Sequence, residues 1–212
     1  MENFQPTCTL SDWKLRQDLL RRVRSFFDEK KVLEVESPSL SNACGTDPHL
    51  DFIETNETPS RYLMTSPEFH MKRLLAAGFG DIYQIAKAFR FGEKGQRHNS
   101  EFTLVEWYRE NMIMEDLMSE VEDLCSAILD YEVKAKRTKW VDAFKNYAHV
   151  DPFCQNLMSF VFVCENNGVP VPGNFRAFSR EDWWDYIMVM VIEPFLGKEG
   201  PEFLMAYPPS QA

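Results

Sequence analysis

The chain has 212 residues with 33 acidic and 23 basic side chains, a net charge of −10. That length suits one domain with a sizeable core, and 44% hydrophobic with 14% aromatic residues marks a globular chain. The negative charge opposes nonspecific binding to nucleic acid or an anionic membrane, so any RNA contact has to be local.

The N-terminal MENFQPTCTLSDW lacks the basic and apolar regions of a signal peptide. The longest apolar run, Tyr186 to Ile192, is far too short to span a bilayer. Cys8, Cys44, Cys125, Cys154 and Cys164 form an odd set with no CxxC spacing, which argues against zinc or a disulfide framework. The expectation is a soluble cytoplasmic protein with reduced thiols and no membrane association.

In chain order, Ser11 is a candidate cap for a helix reaching about Lys31, with Leu15, Leu19, Val23, Phe26 and Phe27 on its apolar face. Lys14, Arg16, Arg21, Arg22 and Arg24 occupy the rest, as a solvated basic face or a contact for RNA or an acidic partner. Leu33 to Glu36 alternates like a short strand and stops at Ser37-Pro38. Ser41 to Ser60 reads as loop with a short strand near Leu50 to Ile53, and Arg61 to Thr65 as a strand. Ser66-Pro67-Glu68 then opens a helix, with Ser66 as cap, Pro67 at the first position and Glu68 in the first turn, and Gly78 ends it.

Ile82 to Arg90 and Glu101 to Arg109 are two alternating strands around a charged, glycine-bearing loop. Gln84, Ala86, Ala88 and Arg90 share one face of the first; Phe102, Leu104, Glu106 and Tyr108 share one face of the second. Small neighbours beside an arginine leave room for a flat ligand, and a ring, a carboxylate and a phenol at alternate positions can meet a base, an ammonium and a polar group. Spacing alone equally allows a structural hairpin in which Glu106 pairs with a neighbouring arginine.

Downstream, Met114, Leu117, Met118, Val121, Leu124, Cys125 and Ile128 trace a helical stripe read as core. Helices are expected near Thr138 to Tyr147 and Gln155 to Asn166. Ser179 with Asp182 forms a capping box for a helix through Trp183, Trp184, Ile187, Met188 and Val191, and Phe203 to Tyr207 is strand-like. No composition shift demands a second domain.

The run FRFGEKGQRHNSEFTLVEWY from Phe89 to Tyr108 resembles motif 2 of the class II aminoacyl-tRNA synthetases, and most closely the lysyl branch. MTSPEFHMKRLL from Met64 to Leu75 matches the same branch, and the helix, strand and Pro38 resemble motif 1. Only about ten residues precede the first helix, with no anticodon-binding barrel. In this the chain resembles the short paralogues that attach (R)-β-lysine to a lysine of elongation factor P, as do Glu106-Trp107-Tyr108-Arg109 and the final YPPSQA.

The resemblance implies an α+β, class II aminoacyl-tRNA synthetase-like catalytic domain, a mostly antiparallel sheet flanked by helices, over residues 1–212. Motif 1 falls near 20–38 and motif 2 near 85–109. It implies that Arg90 binds the α-phosphate of ATP and stabilises developing charge, that His98 and Asn99 support the bent nucleotide, and that Phe102 stacks on adenine. Gly92 stands where lysyl synthetases carry a nucleotide-contacting glutamate, and the following Glu93 is assigned to the adenine. Ser66, Glu68, Glu106 and Tyr108 line the amino-acid site.

The implied function is ATP-dependent activation of lysine or (R)-β-lysine as an acyl-adenylate and its transfer to elongation factor P, in a homodimer joined through Ser11 to Pro38. The alternatives are lysyl-tRNA synthetase-type aminoacylation, disfavoured by the missing anticodon domain and the acidic charge, and a non-catalytic ATP-binding pseudoenzyme or gene fragment. The resemblance also leads to the expectation that motif 3 is absent, with Ala212 falling inside the family domain and the domain incomplete at the C-terminus. The expected Mg2+ ligands lie beyond it, so no metal site is expected within the chain and adenylation by the chain alone is expected to be weak or absent.

Overall fold

The structure, a computed structural model, describes residues 5–43, 45–47, 50–95 and 98–211. Cys44, and Gln96 and Arg97 of the motif 2 run, lie outside the described residues. The chain forms two compact units, Met1–Asp130 and Tyr131–Ala212.

In the first unit, helix α1 spans Leu10–Glu29. Its cap is Thr9, not the expected Ser11: the Thr9 side chain accepts from Asp12 N at 3.2 Å and the Asp12 carboxylate accepts from Thr9 N at 2.7 Å. A reciprocal box needs an acceptor three residues beyond the cap. Thr9 has Asp12 there, whereas Ser11 has Lys14. Val23, Phe26 and Phe27 are buried, but Leu15, expected on the same face, is exposed together with Leu10 and Trp13.

Strand β1 (Leu33–Glu34) runs parallel to β4 (Ile82–Phe89), which pairs antiparallel with β5 (Glu101–Tyr108). Strand β2 (Leu40–Ser41) pairs antiparallel with β3 (Tyr62–Leu63). No strand forms at Leu50–Ile53; that segment bonds through isolated carbonyls, Phe91 N to Asp51 O and Leu63 N to Ile53 O, both at 2.9 Å. Beyond β3, Phe89 N donates to Met64 O at 2.9 Å, which lays Met64–Ser66 beside the end of β4. Helix α2 covers Glu68–Ala76, starting one residue later than expected, with Ser66 Oγ still accepting from Glu68 N at 3.1 Å. Gly78 follows it with φ +81°, as a helix stop requires.

Helix α3 (Met114–Leu129) buries Met118 and Leu124, but Met114 and Leu117 are exposed, against the expected core stripe. Glu120 is buried in the same helix, 3.5 Å from Arg109 Nε, so one position on the inner side holds a carboxylate paired to the end of β5. The core of this unit joins Val23, Phe26 and Phe27 of α1 to Tyr83 of β4 and Leu124 of α3, with Ile85, Val105 and Trp107 packed on it. The Phe27 and Tyr83 rings stack at 4.3 Å. Odd-numbered residues of the hairpin therefore face α1 and α3. The even-numbered residues occupy the opposite face, where Ile82, Gln84, Ala86 and Ala88 are buried and Phe102, Leu104, Glu106 and Tyr108 are half-buried.

In the second unit, β6 (Lys136–Lys139) runs parallel to β7 (Glu202–Met205). Thr138, expected at a helix start, is thus in a strand; α4 begins at Trp140 and passes after Ala143 into a π-helical turn, Phe144–Ala148. Helix α5 is Met158–Asn166, shorter than expected; the preceding Asn156 Oδ1 accepts from Met158 N at 3.1 Å. Helix α6, Arg180–Ile187, carries the expected Ser179–Asp182 box and continues into a second π-helical turn, Met188–Ile192. Trp140, Phe144, Phe160, Trp183, Trp184 and Ile187 form its core. Among the described residues, no helix is long and apolar enough to cross a membrane.

Candidate functional site

The register of the hairpin puts the two sequence-derived faces on the same side. Gln84 stands opposite Glu106, Ala86 opposite Leu104, and Ala88 opposite Phe102, and directly opposed residues of an antiparallel pair project from one face. Alanines at 86 and 88 keep that face low between the larger groups.

At one end, Ser66, Glu106 and Tyr108 form a chain of hydrogen bonds. Ser66 Oγ donates to Glu106 Oε2 and Tyr108 Oη donates to Glu106 Oε1, each at 2.7 Å. Burial, foremost, then the hydrogen bond to Glu106 and the charges of Glu106 and Glu68 push the Tyr108 hydroxyl well above its ordinary pKa, so it stays a donor. Among the described residues no arginine or lysine pairs with Glu106, which removes the purely structural ion pair as an explanation of this carboxylate. Two neutral hydroxyls orient the anion and leave its charge for an incoming cation.

Glu68, in the first turn of α2, is held by Lys72 Nζ at 2.5 Å. A cavity of about 340 Å³ opens beside it, lined among others by Thr46, Asp47, Thr65, Ser66 and Glu68.

At the other end, the Arg90 guanidinium lies 5.1 Å from the centre of the Phe102 ring and 3.6 Å from Glu93 Oε1, and Nε donates to Thr65 O at 3.4 Å. Ring and cation are mutually attractive, and a planar fork fixed at one edge keeps its remaining donors for an anion. Gly92 turns the chain after Arg90 with φ +77°, a conformation that suits glycine. His98 and Asn99 lie on the loop with exposed side chains; His98 O accepts from Gly95 N at 3.0 Å. The described geometry thus gathers Ser66, Glu106 and Tyr108 in one group and Arg90, Glu93 and Phe102 in another, with Glu68 acting electrostatically on the first.

Two contributors have little sequence signal. Thr65 is buried and acts through its carbonyl on Arg90, a role independent of side-chain type. Asp47 comes from the loop before β3, where no periodicity points to a ligand.

The Arg90 guanidinium and the Glu106 carboxylate, which has no salt-bridge partner among the described residues, are arranged with the Met64–Ser66 segment and α2 so that they can attract an anion and a cationic group. The family model for tRNA synthetases class II (D, K and N) matches residues 9–170, and the chain belongs to this family. Among its relatives is the elongation factor P (R)-β-lysine ligase of Hamiltonella defensa, 37% identical over 99% of this chain and 66% of that protein. The ligases of the same name from Erwinia tasmaniensis and Edwardsiella ictaluri are also 37% identical, over 99% and 100% of the chain and 66% and 67% of the relatives. The chain spans about two thirds of the length of these curated relatives.

Proposed function

We propose that this site serves ATP-dependent activation of lysine or (R)-β-lysine and transfer of the aminoacyl group to a lysine of elongation factor P. The observation that carries the reading is the Ser66–Glu106–Tyr108 chain: a carboxylate oriented by two hydroxyls, with no cation paired to it among the described residues, suits a substrate ammonium. The names of the relatives supply the acceptor.

Glu106 and Tyr108, with Ser66 and Glu68, hold the amino acid through its positive charge. An opposite charge about 4 Å away at an effective dielectric near 20 contributes roughly 4 kcal/mol before desolvation. Phe102 offers its ring to the adenine, Gly92 turns the chain to give the nucleotide space, Glu93 reaches the base, and His98 with Asn99 supports the phosphates. Arg90 grips the α-phosphate. The substrate carboxylate attacks that phosphorus in line: an oxygen–phosphorus bond forms, the bond to the pyrophosphate oxygen breaks, and Arg90 stabilises the charge that builds on the non-bridging oxygens. The acceptor amine then attacks the acyl carbon, loses a proton and releases AMP. ATP brings magnesium to such reactions, but among the described residues no group of three or more His, Cys, Asp or Glu side chains could hold a metal ion.

In this reading residues 1–212 belong to one catalytic domain. The protein pairs through α1 and β1, supported by exposed Leu10, Trp13, Leu15 and Leu33 and by a groove of about 650 Å³ lined by Trp13, Leu20, Arg24 and Tyr83 among others.

Equilibrium titration with ATP and with (R)-β-lysine, followed by amino-acid-dependent pyrophosphate exchange, tests the function. Binding of both ligands supports it, and exchange extends it to catalysis. ATP binding without any response to a cationic amino acid favours the non-catalytic alternative. Charging of lysine tRNA would restore the synthetase alternative.

A further inference from the structure

Gln84 stands directly opposite Glu106 on the even-numbered face of the hairpin and is 4% exposed, yet its Oε1 has no hydrogen-bond partner among the described residues. A buried amide oxygen without a donor destabilises the empty protein, and an apolar side chain of similar length would remove that penalty. The position asks for a donor that the fold does not supply.

An ammonium has three N–H donors and is satisfied by three acceptors. The Ser66–Glu106–Tyr108 chain offers a carboxylate and hydroxyl oxygens, and cross-strand side chains in direct register lie about 4.5–5.5 Å apart at Cβ, within reach of one small cation. We propose that Gln84 is a specificity-determining residue of the amino-acid site, its Oε1 accepting the third hydrogen bond from the substrate ammonium held by Glu106 and a neighbouring hydroxyl. Binding opens one hydroxyl bond to Glu106 and exposes the amide oxygen to the incoming donor. The charge of Glu106 attracts any cation; the fixed oxygen of Gln84 selects a primary ammonium over a bulkier or donor-poor group. This inference rests on the proposed amino-acid site.

The test combines calorimetric titration with thermal unfolding of the ligand-free chain, for the wild type, Gln84→Met and Glu106→Gln. The probes are lysine, (R)-β-lysine and norleucine, which keeps the chain length of lysine and lacks its terminal ammonium. Gln84→Met should lower affinity for the diamino acids about tenfold to a hundredfold, the range for losing a hydrogen bond to a charged group. It should leave norleucine unchanged and raise the melting temperature of the empty protein. That opposite movement of affinity and stability is the signature.

Unchanged diamino-acid affinity in Gln84→Met, with affinity lost in Glu106→Gln, overturns the role of Gln84 and leaves the amino-acid site standing. A fall in both melting temperature and affinity makes Gln84 a structural residue and overturns the inference as well. No binding of either diamino acid by the wild type removes the proposed site itself, and this inference with it.

Discussion

Ser66 and Glu106 are 40 residues apart in the chain, and the Ser66 hydroxyl donates to Glu106 Oε2 at 2.7 Å. The same Ser66 oxygen accepts from Glu68 N at 3.1 Å, so one side chain ties the start of α2 to β5. Ser66→Ala removes both bonds. The expected result is a fall of about tenfold in affinity for a cationic amino acid, measured by titration, with a smaller loss of stability because the site is partly exposed.

Replacement of Arg90 by lysine keeps the charge but loses the planar fork and the face that lies 5.1 Å from the Phe102 ring centre. ATP affinity should fall about tenfold or more, with the melting temperature little changed. Fluorescence titration with a labelled nucleotide reads this. An unchanged affinity would place the nucleotide elsewhere.

The raised hydroxyl pKa values of Tyr108 and Tyr83 imply a definite alkaline behaviour. In both, burial is the largest cause; Glu106 adds to it at Tyr108, and Glu34, accepting from Tyr83 Oη at 2.9 Å, adds to it at Tyr83. Above the ordinary tyrosine value of 10.0 the unfolded chain loses these protons while the folded chain keeps them. Their contribution to stability is therefore intact below about pH 10 and declines as pH rises further. Thermal unfolding from pH 8 to 11 should show this decline, and the double variant Tyr83→Phe/Tyr108→Phe should flatten it.

Phe27 is fully buried, stacked on Tyr83 at 4.3 Å and tilted against Trp107 at 5.5 Å. Phe27→Ala should cost about 3–5 kcal/mol by denaturant unfolding, the usual loss for a large core aromatic. Thr9→Ala should cost about 1 kcal/mol through the lost cap, while Ser11→Ala should stay within about 0.5 kcal/mol.

These residues also show how far the sequence reading reaches. The two eight-residue runs Ile82–Phe89 and Glu101–Tyr108, free of proline and glycine and rich in aromatic and β-branched residues, made both strands legible, because such composition is local. The register that brings Gln84 to Glu106 was not legible, since the loop between the strands carries no tight-turn signature that would count residues across. The Ser179–Asp182 box was legible; the Thr9–Asp12 box was obscured by Ser11, a second cap-type residue two positions on that has Lys14 where a box needs an acceptor. The exposed Met114 and Leu117 and the π-helical turns at Phe144–Ala148 and Met188–Ile192 depend on tertiary packing, which local periodicity does not encode. In the site, residue type pointed to Arg90, Glu106 and Tyr108, whereas the Thr65 carbonyl that holds Arg90 has no side-chain signal at all.

The most direct measurement of the central claim is titration of (R)-β-lysine into the chain saturated with a non-hydrolysable ATP analogue, for the wild type and for Glu106→Gln. Saturable one-to-one binding by the wild type, weakened more than about a hundredfold by the loss of the carboxylate charge, is the expected result. No binding by the wild type, or equal binding by both proteins, would contradict the assignment of Glu106 as the carboxylate that receives the substrate ammonium.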